Sequence, residues 1–255
     1  MAFDPAVAVA GLVVGFSVGL TGMGGGALMT PILVLFFRVQ PLAAVSSDLL
    51  ASLIMKPVGG TVHARRGTVR KDLVLWLCVG SVPAAFAGVL VLRALGGSDI
   101  DQLLKRALGV ALLAAAVSML LRDKILRRRA EGDDRPPVVL HRAATVAIGA
   151  IGGLVVGMTS VGSGSLIIVM LLALYPGLRA SELVGTDLIQ AIPLVGAATL
   201  GHLLFGDVRF GLTASLLIGA LPGVYVGARL SARADDRVVR PALFLLLLTS
   251  GLKLI

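Results

Sequence analysis

Charged and aromatic side chains are scarce in this chain, at 15% and 4% of its 255 residues. Hydrophobic residues make up 57% and the mean hydropathy is +0.97, so the chain has more apolar surface than a soluble domain of this length buries. Because aromatics are few, the net charge of +9 does not indicate a nucleic-acid partner. A single cysteine, Cys78, excludes an intrachain disulfide. These features predict an integral membrane protein with the lipid bilayer as its surroundings.

The hydrophobic segments predict helices, because most have about 17 to 25 residues, enough to cross the hydrocarbon of a bilayer, and lack the alternation of barrel strands. The leading MAFDP has no basic residue, so we expect no removable signal peptide. The apolar segments are 6–20, 27–37, 43–63, 72–95, 103–121, 143–158, 165–175, 181–204, 211–230 and 238–255. Segments 27–37 and 165–175 reach only about 16 Å as helices, so each is predicted to form a re-entrant hairpin with the segment before it.

Two glycine-rich breaks interrupt the apolar sequence, TGMGGG at 21–26 and TSVGSGS at 159–165. An offset of 138 residues superposes them, and after one inserted residue an offset of 139 pairs Asp48 with Asp187. The chain is therefore predicted to consist of two homologous halves joined by a charged cytoplasmic linker. Their bounds are 1–121, 122–142 for the linker, and 143–255.

The loop cations predict how the halves are oriented. Lys and Arg are dense after segment 43–63 and between the halves, but in the second half the dense loop comes one segment later, after 211–230. Because cytoplasmic loops carry the positive excess, equivalent loops are predicted to face opposite sides of the cytoplasmic membrane, with both termini outside. The predicted fold is an all-α polytopic membrane protein of two inverted-topology repeats, each a glycine-tipped broken-helix hairpin plus three transmembrane helices. Full crossing by the short segments fits the charges equally well.

A helix that begins inside the membrane presents unpaired N–H groups and its positive dipole end, which attract anions. Glycines permit close backbone approach and hydroxyls donate hydrogen bonds, so the two breaks are predicted to bind one small anion between them. The alternative is that their small residues only allow close helix packing. The predicted substrate-binding residues of the breaks are Thr21, Gly22, Gly24, Gly25, Gly26, Thr159, Ser160, Gly162, Ser163, Gly164 and Ser165.

Lys56 completes the predicted anion site. It lies in the middle of segment 43–63, where an ammonium is costly unless it is paired or faces a cavity. Asp48, Ser52 and Lys56 recur every four residues, which places them on one face of a helix. The second half lacks the lysine, so the site is predicted to be asymmetric. A snorkelling or Asp-paired structural lysine is the alternative.

Two pairs of titratable residues repeat between the halves. Asp48 and Asp187 come early in their segments, where they either cap a helix or carry protons. His63 and His202 come at the ends of the same segments, and are interfacial structural residues or relay groups. All four are candidates for proton coupling or gating.

The sequence resembles the sulfite exporter TauE/SafE family over nearly its whole length. The resemblance lies in the duplicated breaks and in three motifs, MKPVGGTVHARRGTV at 55–69, GTDLIQA at 185–191 and GALPGVYVGARL at 219–230. It implies a bacterial or archaeal membrane protein with about eight transmembrane segments that exports sulfite, sulfoacetate or a related sulfur-containing anion. The family motifs carry over to the two breaks and to Asp48, Lys56, Asp187 and His202.

We therefore expect a secondary transporter that exports small sulfur oxyanions, with no cofactor, no metal and no catalytic residues. GMGGG lacks the Lys-Ser/Thr ending of a P-loop, so ATP is not expected as the driver. An anion channel or uniporter, an uptake permease for another small anion, and a non-transporting scaffold are alternatives. An intramembrane hydrolase using Ser163 and His202 is another, although the first half has Gly25 in place of the serine. A homo-oligomer is compatible with the sequence.

Overall fold

The computed structural model describes residues 4–21, 25–130, 137–205, 208–230 and 236–255, and these ranges form helices without a β-strand. The predicted all-α class is confirmed. The α-helices are α1 (Pro5–Thr21), α2 (Gly26–Leu35), α3 (Pro41–Arg65), α4 (Lys71–Gly96), α5 (Ile100–Ala130), α6 (Arg142–Thr159), α7 (Leu166–Leu174), α8 (Ala180–Leu204), α9 (Phe210–Leu230) and α10 (Asp236–Leu254).

Each predicted apolar segment corresponds to one helix, with ends that agree to within a few residues except at α5. This helix continues through Ala130 and includes the first part of the segment predicted as a linker. Leucine, lysine and arginine favour helix, so a charged continuation of an apolar helix stays helical once it begins. Residues 131–136, with most of the linker's acidic side chains, lie outside the described residues.

Six described helices are long and apolar enough to cross a membrane: α3, α4, α5, α6, α8 and α9. Shorter apolar helices occupy Pro5–Leu20, Gly26–Leu35 and Leu243–Leu254. At about 1.5 Å per residue, α2 and α7 extend only about 14 to 15 Å. Helix α7 turns back beside α6, since a Cβ on Gly152 would lie 2.4 Å from the Ile167 side chain.

Large apolar side chains are exposed on the outside of the bundle, including Val9, Leu75 and Leu245 at 57–61% exposure. Hydroxyl, carboxyl and ammonium groups are buried between the helices instead. This inversion of the soluble pattern is favourable only where lipid surrounds the protein. The chain is therefore a multi-pass membrane protein.

The closest helix pairs cross the two predicted halves, α1 with α9 and α4 with α6, and they meet at glycines. A Cβ on Gly219 would lie 1.7 Å from the carbonyl oxygen of Ala8, and one on Gly80 would lie 2.0 Å from that of Val146. These two contacts are equivalent under the sequence offsets. Glycine is required at both, because no side chain fits between the backbones.

Helices that are equivalent in the two halves run antiparallel where they touch. In the middle of α3, Leu53 faces Gly196 late in α8, whereas Gly60 faces Ile189 earlier in α8. In the same way, Gly109 on α5 faces Ile255 at the end of the chain, whereas Leu113 further along α5 faces Gly251 on α10. These crossings bring the buried polar faces of α3 and α8 together at the centre of the bundle.

Candidate functional site

The two glycine breaks come into contact. Helix α6 ends at Thr159, and Ser160 then turns left-handed with φ of 61°. Gly162 and Gly164 also have positive φ, at 132° and 86°, which disfavours any other residue there. A Cβ on Gly26, the first residue of α2, would lie 1.9 Å from the Ser160 carbonyl oxygen. The residue after α6 is thus in direct contact with the start of α2.

Lys56 projects from α3 to the second-half break. Its Nζ donates a hydrogen bond of 2.8 Å to Ser163 Oγ, and the residue is only 7% exposed. Within the described part of the chain it forms no ion pair with N···O below 4.0 Å. An ammonium has three donors, so two N–H groups remain beyond the one that contacts Ser163. The arrangement suits a small acceptor with more than one oxygen.

Asp48 lies two turns before Lys56 and is fully buried. The hydroxyls of Thr30 and Ser160 each donate to its Oδ2 at 2.8 Å. Its Oδ1 accepts no hydrogen bond of standard geometry from the described residues. Because α3 begins at Pro41, Asp48 lies inside the helix and does not cap it. The helix-cap alternative is wrong for this residue.

Asp187 is the equivalent carboxyl on α8 and is 1% exposed. Gln190 Nε2 donates to its Oδ1 at 3.4 Å, and the backbone N–H of Gly164 donates to it from the second break. Gln190 Oε1 in turn accepts a 3.1 Å hydrogen bond from Ser81 on α4. Asp187 therefore lies in a network of amide donors, whereas Asp48 is surrounded by hydroxyls.

Lys56 interacts electrostatically with both carboxyls. If the three groups are ionised, their charges sum to −1, and Arg122 on α5 adds a positive charge that acts on Asp187. Burying an uncompensated charge is expensive, so a substrate ion that enters the centre changes a nearly balanced set of charges. The predicted role of Asp48 and Asp187 in coupling stays a prediction.

The other predicted site residues of the second half each have different surroundings. Thr159 Oγ1 donates to the Val155 carbonyl at 2.7 Å and secures the end of α6. Ser165 is buried at the start of α7, and its hydroxyl has no hydrogen-bond partner among the described residues. His202 is fully buried, with Nε2 3.1 Å from the Gly157 carbonyl, and its predicted interfacial or relay role stays a prediction.

Part of the first break lies outside the described residues, namely Gly22 and Gly24. The side chains of Thr21 and His63 also lie outside them. Gly25 is described and is packed among side chains, with Met55 3.2 Å and Ser52 3.7 Å from where its Cβ would be. The first break therefore reaches the polar face of α3.

Sequence reasoning missed three polar residues of the centre, Thr30, Ser81 and Gln190. Each is a polar side chain in a largely apolar helix and is fully buried. Because a polar group inside a transmembrane helix needs a partner, listing such residues would have found them.

The site as a whole has two kinds of surface. On one side are the start of α7, the Ser165 hydroxyl and the Lys56 ammonium, all favourable for an anion. On the other side are the end of α6 and the carboxyl of Asp48, which favour positive charge. Among the described residues, no three His, Cys, Asp or Glu side chains form a metal-ligand group.

The chain is similar to known membrane transporters over nearly its whole length. The family model described as "Sulfite exporter TauE/SafE" matches residues 7–254. "Probable membrane transporter protein YjnA" of Bacillus subtilis is 40% identical, covering 96% of this chain and 97% of its own. YdhB of the same organism is 26% identical over 94% and 96% of the two chains. MJ0441 of Methanocaldococcus jannaschii is 26% identical over 97% and 94%. Both carry the same transporter description, and no solved structure matches the chain.

Proposed function

Because this chain belongs to the sulfite exporter TauE/SafE family of membrane transporters, we propose that it is a secondary transporter exporting a small sulfur oxyanion across the cytoplasmic membrane. The substrate class is sulfite or an organosulfonate such as sulfoacetate. The observation that supports this most is the buried ammonium of Lys56 at the second break, hydrogen-bonded to Ser163 at 2.8 Å and without a carboxylate in direct contact within the described residues.

The anion binds between the Lys56 ammonium and the start of α7, where the Ser165 hydroxyl lacks a partner. A tetrahedral or pyramidal oxyanion offers several oxygens to these donors at once, which a halide does not. One buried ammonium and two hydroxyls are donors at separate positions, so the separate oxygens of an oxyanion satisfy them better than a single chloride does.

Transport follows from two inverted repeats that rock against each other around this centre. The equivalent glycine contacts of Gly219 and Gly80 and the antiparallel run of α3 against α8 support that symmetry. Lys56, Ser163 and Ser165 are at most 7% exposed, so this conformation is closed around the site and opening must occur on either side. The membrane potential, negative inside, favours anion exit.

The test is flux in proteoliposomes with sulfite, sulfoacetate, sulfate and chloride. We expect saturable flux of sulfite or sulfoacetate, with chloride much slower. Lys56→Met should lower kcat/KM for the anion by about a hundredfold or more, because a charge-assisted hydrogen bond to the substrate is lost in a low-dielectric site.

Lys71→Met is the matched control, since Lys71 is an exposed lysine at the start of α4. It should transport normally. The absence of saturable flux for every anion would overturn the transport proposal, whereas normal flux by Lys56→Met would overturn only the site.

An intramembrane hydrolase is the second candidate, because Lys56 and Ser163 at 2.8 Å have the composition of a serine–lysine catalytic pair. The base first considered, His202, contacts the Gly157 carbonyl instead. Replacing Ser163 separates the two functions, since a hydrolase needs its hydroxyl absolutely and a transporter does not.

A further inference from the structure

The environment of Asp48 is unlike that of any other acid in the described core. Its carboxyl is fully buried, Oδ2 accepts the hydroxyls of Thr30 and Ser160, and Oδ1 has no standard hydrogen bond from the described residues. Ser52 adds a third hydroxyl from the next turn of α3 and is 3% exposed. Each hydroxyl that donates to the carboxyl keeps lone pairs for another partner. The cluster therefore consists of oxygen ligands around one negative charge.

The backbone strengthens the preference for positive charge. Helix α6 ends at Thr159, one residue before Ser160, so the negative end of its dipole lies near Asp48. Ser160, at the end of α6, supplies both a hydroxyl to Asp48 and a carbonyl directed at the start of α2. An anion is repelled here. Lys56, the nearest buried ammonium, donates to Ser163 and not to Asp48.

The second half does not repeat this cluster. The offsets between the halves place residues without a hydroxyl at the three equivalent positions. Gly22 is equivalent to Ser160, Ile168 to Thr30 and Ala191 to Ser52. Asp187 instead accepts hydrogen bonds from the Gln190 amide and the Gly164 N–H. A carboxylate supplied with donors is stabilised without a cation. The hydroxyl cluster around Asp48 thus has no counterpart at the equivalent positions around Asp187.

We propose that Asp48, Thr30, Ser52 and Ser160 bind a small monovalent cation, Na⁺, whose presence promotes binding of the anion. Hard cations prefer carboxylate, hydroxyl and carbonyl oxygens, and one carboxylate balances one positive charge, whereas a divalent cation needs more acidic ligands. Broken helices supply such carbonyls in other transporters of inverted repeats. The cation offsets the negative charge of Asp48, so an anion at Lys56 then binds without repulsion from that carboxylate.

The binding site itself is tested on the full-length protein in detergent, without any substrate anion other than chloride. Thermal unfolding is measured in NaCl, KCl and choline chloride at equal ionic strength and pH. We expect a saturable rise in Tm in Na⁺ only, growing with concentration as expected for a ligand of the folded state. Equal unfolding temperatures in the three salts would overturn the proposal.

Thr30→Val tests the location, since valine keeps the shape and removes one ligand, and Asp48→Asn removes the charge. Both should abolish or greatly weaken the Na⁺-dependent rise. Asp187→Asn is the matched control in the other half and should keep it. If Thr30→Val keeps the full rise, or if Asp187→Asn loses it, the cation is not bound where we propose.

The coupling rests on the proposed anion transport and is measured separately, as sulfite affinity with and without Na⁺. We expect about tenfold tighter binding with Na⁺, within the usual range for coupled sites. Unchanged affinity would overturn the coupling. The two proposals fail in different ways: a protein that binds Na⁺ but moves no anion refutes the transport function, and sulfite flux without any Na⁺ effect refutes only the coupling.

Discussion

At the scale of the residue, the buried Lys56 is a difference between the two halves. Its counterpart on α8 is Val195, which is 1% exposed, so the same place in the second half is apolar. A buried ammonium costs several kcal/mol unless hydrogen bonds and opposite charge compensate it. Ser163 compensates part of that cost, and the carboxyls of Asp48 and Asp187 act at longer range. An anion bound to Lys56 would compensate the rest.

Ser163→Ala should lower the apparent affinity for the transported anion by about tenfold while leaving saturable flux. The hydroxyl orients Lys56 from 2.8 Å, and losing one hydrogen bond to a charged group costs about 1.5 to 3 kcal/mol at most. Initial rates over a range of sulfite concentrations measure the effect. Thr249→Ala is the control, because the exposed Thr249 hydroxyl on α10 donates to the Leu245 carbonyl of its own helix at 2.7 Å. Complete loss of sulfite flux in Ser163→Ala would contradict this orienting role.

The sequence predicted part of this centre. Spacing by four placed Asp48, Ser52 and Lys56 on one helical face, and all three are buried together. Thr30 could not be assigned to Asp48, because they lie on different helices and only the fold back of α2 onto α3 joins them. Gln190 follows Asp187 by three residues, a spacing that does place two side chains together, so the i,i+3 rule would have identified it.

At the scale of the element, hydrophobic length and glycine positions determine where helices begin and end. Apolar runs predicted the helices well because a membrane helix must satisfy its own backbone, which leaves little freedom of secondary structure. The end of α5 was not predicted, since charge marks the membrane boundary and does not end a helix. The packing partner of each helix was not predictable either, because small residues permit close approach without specifying which helix approaches.

Gly219→Ala should destabilise the protein, because the new methyl group would lie 1.7 Å from the Ala8 carbonyl oxygen and force α1 away from α9. Overpacking of this kind costs about 1 to 3 kcal/mol or more. Gly196→Ala on α8 is the matched control, since its Cβ would meet only Leu53 at 3.7 Å. That variant should be neutral or gain up to about 1 kcal/mol from helix propensity. Thermal unfolding in detergent compares the two, and equal Tm values would contradict the packing argument.

At the scale of the whole molecule, contacts between the halves come in equivalent pairs. The backbone N–H of Arg70, at the start of α4, donates to Thr186 Oγ1 on α8 at 3.1 Å. In the equivalent contact, Arg209 N–H, just before α9, donates to Ser47 Oγ on α3 at 3.2 Å. Each half therefore holds the other near the start of its polar helix. Asp72 ion-pairs with Arg70 at 3.1 Å and holds the pKa of that guanidinium above its ordinary value, whereas the Arg209 guanidinium contacts the neutral Gln40 amide.

If the repeats are inverted, these connections lie at opposite membrane surfaces, and single cysteines test this in a Cys78→Ala background. Arg66 and Phe205 are equivalent under the offset of 139 and both are exposed at the ends of their helices. The cation-rich loop after α3 is predicted to be cytoplasmic, so Arg66→Cys should react with an impermeant maleimide only after cells are permeabilised, whereas Phe205→Cys should react in intact cells. Labelling of both from the same side would mean parallel repeats. That result would contradict transport by rocking of two inverted halves. It would not contradict the local contacts proposed for Lys56 and Asp48.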